Sequence, residues 1–134
     1  MSSPTEPGFQ PIVFPCARCG QPAATFTLFP TGTGEEMWRE RNYVQRVGFM
    51  GAVLHFETWP ILLELMAAIQ RRDYRAINRT VGPDLIAFHC WECDSDYCEA
   101  CWRIGPPVFD ADFPGFYDCT EGVCPAGHAQ VVDD

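Results

Sequence analysis

A chain of 134 residues with 47% hydrophobic content has the size of one domain and can bury a modest core, while 12 prolines and 11 glycines predict short elements joined by many turns. Its net charge of -9 is held unevenly: from Asp84 onward the acids Asp84, Glu92, Asp94, Asp96, Glu99, Asp110, Asp112, Asp118, Glu121, Asp133 and Asp134 face Arg103 alone, whereas the first 83 residues are nearly neutral. No basic footprint for a phosphate backbone exists, no lysine is present, and no window approaches the roughly 18 apolar residues of a membrane span, so neither nucleic acid nor a membrane is expected as a partner.

The opening "MSSPTEPGFQPIVFPC" has neither a basic n-region nor an apolar h-region, and residues 1–15 read as a Pro-rich extended leader. A cytoplasmic location follows as the expectation. In that reducing setting eight cysteines read as metal ligands before they read as disulfides. "CARCGQP" at 16–22 is a tight knuckle, with Gly20 placed to allow the backbone turn that aims N–H groups at sulfur. "AATFTLF", Ala23 to Phe29, alternates Phe26 and Leu28 with Thr25 and Thr27 and predicts a strand ended by "PTGTG".

Residues 43–57, "YVQRVGFMGAVLHFE", have strand composition with apolar residues on both faces, predicting one buried strand bent at Gly48 and Gly51. Thr58 then reads as a helix N-cap with Pro60 in the first turn, and Ile61, Leu62, Leu65, Met66 and Ile69 mark one face of a helix from about Trp59 to Gln70. "RDYRAINRT" continues that helix or forms a second short one, with Arg72, Arg75 and Arg79 on one side that reads as a solvated face, a dock for an acidic partner being the alternative. His55 reads as a core histidine. His89 is expected on the surface of a hairpin, with a substitute role as a metal ligand as the alternative, and the acids at 92–99 on a solvated face around it. The aromatics of "PPVFDADFPGFYD" read equally as a lid over the Cys-rich lobe or as a recognition surface, and Phe109, Phe113, Phe116 and Tyr117 are expected to pack against that lobe.

The candidate ligands fall into four groups: Cys16 with Cys19, Cys90 with Cys93, Cys98 with Cys101, and a last set of Cys119, Cys124 and His128. Zinc takes four thiolate or imidazole ligands in a tetrahedron, and a two-residue spacer lets one turn offer two thiolates, so two such pairs close a structural site. Two sites use eight ligands of the nine. Cys90, Cys93, Cys98 and Cys101 around one ion would need a tight reversal in the four residues between the pairs. Interleaved and sequential pairings of the four groups both remain open on spacing alone. In the last group "CPAGH" builds a turn between Cys124 and His128, leaving Cys119 as the spare or as the alternative ligand.

"CWECDSDYCEACW" resembles the middle of the binuclear treble-clef domains, the RING and ZZ families, in which a hairpin leads into aromatic-Cys-x-x-Cys-aromatic, here Tyr97, Cys98, Cys101 and Trp102. The resemblance covers the first pair and about forty C-terminal residues. It implies a cross-brace with Cys16, Cys19, Cys98 and Cys101 at one zinc and Cys90, Cys93, Cys124 and His128 at the other. The seventy residues between Cys19 and Cys90 and the closing "CPAGH" depart from both families. The whole chain also looks like small uncharacterised bacterial zinc-binding proteins.

The expected fold is therefore α+β: a single domain at 16–134 comprising a first knuckle at 16–22, an inserted small sheet and helix at 23–88, and a treble-clef zinc lobe at 89–134. Two zinc ions per chain serve as its cofactors and replace core that a loop-rich chain lacks. The expected role is a non-catalytic interaction module for a protein partner, with a RING-like adaptor of a bacterial ubiquitin-like pathway as its sharpest form, although Gly20 stands where RING domains place an aliphatic contact. Thiol-disulfide exchange at "CEAC" is the enzymatic alternative, opposed by Asp96 and Glu99, which disfavour a thiolate. An iron-sulfur cluster would use the same thiolates, but the spacings do not match those of ferredoxins.

Overall fold

The computed structural model describes residues 10–134, and the first nine positions of the expected leader lie outside them. An antiparallel sheet comes first, in the order β1 (Ile12–Pro15), β2 (Pro22–Phe29), β3 (Tyr43–Val47) and β4 (Val53–Phe56). Alternation decides its faces. Phe14 opposes Ala24, Phe26 opposes Arg46 and Leu28 opposes Val44, so these side chains share the inner face.

Two expectations change here. The end of the leader is the edge strand β1, so the sheet begins before the first Cys pair and the insert at 23–88 takes its first strand from ahead of the knuckle. Residues 43–57 are two paired strands, not one bent strand: Gly48, Met50 and Gly51 all have positive φ (98°, 52° and 82°), and this reverses the chain instead of bending it.

Helix α1 (Trp59–Arg71) buries Leu62, Leu65, Met66, Ala68 and Ile69. Thr58 holds the extended N-cap backbone, but its hydroxyl caps nothing. The helix ends on a left-handed Arg72, whose N–H donates to the Ile69 carbonyl at 3.0 Å while Asp73 N–H reaches Ala68 O at 2.9 Å. Asp73 then caps α2 (Tyr74–Val81), accepting from Ala76 N–H at 3.1 Å. Arg72 thus leaves the expected row of arginines. Its guanidinium lies 4.0 Å from the centre of the Phe14 ring and donates to the Val13 carbonyl at 3.2 Å, fastening α1 to β1.

The rest of the chain forms a two-stranded ribbon, β5 (His89–Cys90) with β6 (Ser95–Asp96), and a three-stranded sheet in the order β7 (Arg103–Phe109), β8 (Tyr117–Val123) and β9 (Ala129–Asp133). Phe88 joins these parts to the first sheet. Its buried ring meets Phe14 at 5.5 Å, Phe26 at 6.0 Å and Phe49 at 6.4 Å, and its carbonyl accepts from Tyr97 N–H and Trp102 Nε1–H, both at 3.2 Å. One contiguous core results, running from Phe14 and Leu65 to Cys90, Cys98 and Cys124. Arg46 is buried within the fold and donates to the carbonyls of Phe49 and, at 2.7 Å, Asp84. Burial lowers its pKa to about 10 despite the opposing pull of Asp84, Asp133 and Glu99. Among the described residues no helix is long and apolar enough to cross a membrane.

Candidate metal centres

Each expected ligand pair sits on a turn that local sequence explains. In the first knuckle Cys16 N–H donates to Gln21 O at 2.7 Å and Gly20 N–H to Cys16 O at 3.0 Å, and Gly20 accepts the positive φ of 81° that this tight loop requires. The second pair lies on the turn of the β5–β6 ribbon, where left-handed Asp94 (φ 53°) reverses the chain. The third is a single turn after β6, closed by Cys101 N–H to Cys98 O at 2.9 Å. The last is the connection between β8 and β9, with Val123 paired to Ala129 on either side of "CPAGH" and Cys124 N–H donating to His128 O at 2.9 Å.

Tertiary structure joins these turns in alternation. Cys16, Cys19, Cys98 and Cys101 form one set, Cys90, Cys93, Cys124 and His128 the other, and within each set the donor atoms all lie within 4.8 Å of one another. The ribbon explains why neighbouring pairs separate. Its strands advance about 3.3 Å per residue, and β6 runs back along β5 so that Tyr97 N–H meets Phe88 O; Cys98 is therefore carried away from the turn that holds Cys93. Ala17 N–H donates to Asp96 O at 2.7 Å, which brings the first knuckle to the end of the ribbon where Cys98 emerges. Gln130 on β9 brackets Cys90, donating to His89 O at 2.7 Å and accepting from Trp91 N–H at 3.4 Å, and so brings the last pair to Cys90 and Cys93.

The donor spacing fits a tetrahedral ion. With zinc–sulfur bonds of about 2.3 Å, tetrahedral geometry separates sulfurs by about 3.8 Å. Cys93 and Cys124 sulfurs are 3.7 Å apart, Cys19 and Cys98 sulfurs 3.5 Å, and His128 Nδ1 lies 3.2, 3.5 and 3.7 Å from Cys93, Cys124 and Cys90. None of the eight cysteines is in a disulfide. Backbone N–H groups also point at sulfur, from Arg18 to Cys16, Cys93 to Cys90 and His128 to Cys124, each at 3.4 Å. These donors favour thiolates.

The electrostatics divide each set. Burial raises the Cys16 thiol, but backbone N–H groups of Cys98, Cys19 and Arg18 outweigh it and bring the pKa down to about 6. At Cys124 burial is likewise outweighed, by N–H groups of His128 and Ala126, again to about 6. Burial and the neighbouring sulfurs instead push Cys90 up to about 11 and Cys101 up to about 12, and Cys98 is raised for the same reasons. Clustered thiols cannot all ionise without a cation among them. A divalent ion supplies that charge and would be held by these residues.

Cys119 lies in neither set. It is on β8 opposite Val108, and burial with the carboxylates of Asp118, Glu121 and Asp134 raises its pKa. His89, expected on the surface, is fully buried: Tyr74 stacks on its ring at 3.7 Å, and its Nδ1 is 2.8 Å from Asp96 Oδ1. Asp96 also leaves the expected solvated face, because Tyr74 donates its hydroxyl to Oδ2 at 2.5 Å. The reason is α2, whose first residue packs over the ribbon; spacing within 88–102 contains no sign of it. His55 is half-buried and 3.6 Å from the Glu57 carboxylate.

A family model described as a domain of unknown function, DUF8328, matches residues 9–134. The chain belongs to that family. No curated protein and no solved structure matches it.

Proposed function

We propose that this DUF8328 chain is a non-catalytic protein-interaction module held together by two structural zinc ions, one bound by Cys16, Cys19, Cys98 and Cys101 and the other by Cys90, Cys93, Cys124 and His128. The observation that carries the reading is the closure of two four-donor sets by alternating pairs. Four protein donors leave no open position for substrate or water, as a catalytic zinc requires, and a set of four cysteines, or of three cysteines with one histidine, is that of structural zinc. Apparent binding energies of about 10–16 kcal/mol for such ions exceed the net stability of most domains, so the metal stands in for missing core.

The finer form of the reading is a treble-clef adaptor of RING type in a bacterial ubiquitin-like pathway, acting in the cytoplasm. It is supported by the alternating ligand order and by the hairpin before Tyr97 and Cys98. Titrating isotopically labelled protein with a ubiquitin-conjugating-type enzyme tests it; an unchanged spectrum removes the adaptor role and leaves the zinc module standing.

The zinc reading is tested by elemental mass spectrometry on protein purified without added metal, with thiols counted before and after chelation. We expect two zinc per chain, one reactive thiol at Cys119, and unfolding on chelation. A metal-free folded chain with disulfides would overturn it and favour thiol-disulfide exchange.

A further inference from the structure

The C-terminal aromatics do not pack against the metal lobe, contrary to expectation. Phe109, Phe113, Phe116 and Tyr117 are 55%, 63%, 69% and 42% exposed, at the tip of the β7–β8 hairpin. They form two edge-to-face pairs, Phe109 with Tyr117 at 6.4 Å and Phe113 with Phe116 at 6.2 Å, with half-exposed Val108 beside them. Single exposed apolar residues need no explanation, but four aromatic rings gathered on one projection form a patch of the kind that marks a binding surface.

The loop that carries them is braced from within. Asp110 Oδ1 accepts from the N–H groups of Asp112 at 2.8 Å and Phe113 at 3.1 Å, Asp110 N–H donates to Phe116 O at 2.8 Å, and Phe116 N–H donates to Phe113 O at 3.0 Å. Tyr117 is fixed by its hydroxyl, 2.6 Å from Thr120 Oγ1 and 2.6 Å from Asp133 Oδ2. This bracing orders the backbone but buries none of the phenyl rings. Rings held out on an ordered loop lose little conformational entropy when a partner covers them, which makes them efficient anchors.

The surroundings select the partner by charge. Asp110 and Asp112 lie in the loop, Asp118 and Glu121 on β8, and Asp133 and Asp134 at and just past the end of β9, and the only Lys or Arg from Asp84 to the end of the chain is Arg103 at the far end of β7. An apolar anchor on an acidic hairpin is complementary to a segment with apolar side chains flanked by lysine or arginine, and it repels anionic surfaces.

We propose that the β7–β8 hairpin tip is the docking surface of the module and that its occupant is a basic, apolar-anchored segment of a partner protein. The proposal deepens the interaction-module reading and rests on it.

The test uses the zinc-loaded full chain, immobilised, against an equimolar pool of synthetic peptides of about twelve residues, each with two leucines and net charges of either sign. A second column carries the F113S/F116S variant, whose loop keeps its Asp110 bridges because they are made to backbone N–H groups. We expect basic peptides retained over acidic ones by at least about tenfold, and retention cut by about tenfold in the variant at unchanged zinc content. Equal retention by both columns would overturn the proposal, since charge alone would then explain it, and so would retention of no basic peptide. A concentration-dependent dimer abolished by F113S/F116S would make the occupant a second copy and also overturn it. Ring-dependent binding to phosphatidylcholine vesicles would make the occupant a lipid surface and overturn it as well. Failure of the zinc reading shows separately, as missing metal in the unsubstituted chain.

Discussion

Replacing Phe88 with alanine tests whether one core joins the sheet to both metal centres. The ring is fully buried among Phe14, Phe26 and Phe49, on three different parts of the first sheet and its turn, while its backbone carbonyl receives Tyr97 and Trp102. Truncation keeps the carbonyl and removes only the ring, so the cost is transfer plus cavity, about 3–5 kcal/mol for a buried phenylalanine. In a domain of this size each kcal/mol lowers the melting temperature by about 3–5 °C, so the zinc-loaded variant should melt about 10–20 °C lower. The assay is thermal unfolding by circular dichroism at fixed free zinc, because bound metal otherwise shifts the midpoint by mass action. Phe113→Ala is the internal comparison. Its ring is 63% exposed, and its loss should cost under about 0.5 kcal/mol. Equal effects from the two substitutions would refute the single-core description, and a loss below about 1 kcal/mol at Phe88 would mean that the metal lobe is stable independently of the sheet.

Cys98→Ser should release one zinc per chain and loosen the first knuckle, whereas Cys119→Ser should leave the metal content and melting curve unchanged; elemental analysis distinguishes them. Zinc uptake should release protons into a weakly buffered indicator solution, since the raised pKa values keep Cys90, Cys98 and Cys101 protonated at neutral pH without metal. The sign follows directly. Zinc needs these thiols ionised, so affinity rises with pH by about tenfold per unit for each such thiol and the ion is lost as pH falls. A pH-independent affinity would contradict the assignment of those three ligands. Asp96→Asn removes the charge that holds both the Tyr74 hydroxyl and His89 Nδ1, and with hydrogen bonds to charged groups contributing about 1.5–3 kcal/mol each it should cost about 2–4 kcal/mol in urea unfolding.

What sequence determined here is local chemistry. Two-residue spacers fixed three of the four knuckles and the "CPAGH" turn the last, alternation at 23–29 specified β2, and apolar spacing after Thr58 specified α1, because each signal lies within one turn or one strand. The four-residue connection within the ribbon separates its two Cys pairs, but which outer pair joins each was open on spacing and was decided by tertiary structure. Long-range packing decided the rest. The pairing of β1 with β2 drew in residues that read as a leader, and a reversal at Gly48 and Gly51 turned one apparent strand into two, because the extended and the reversed chain have nearly the same composition. Tyr74 reached across to bury His89 and Asp96, a contact between residues fifteen and more positions apart that no spacing within the ribbon encodes. The aromatic tail departs from expectation for the same reason. Aromatic content shows that Phe113 and Phe116 have surface to bury, but whether anything within the chain covers it depends on where β7 and β8 leave the lobe, and they carry those rings into solvent.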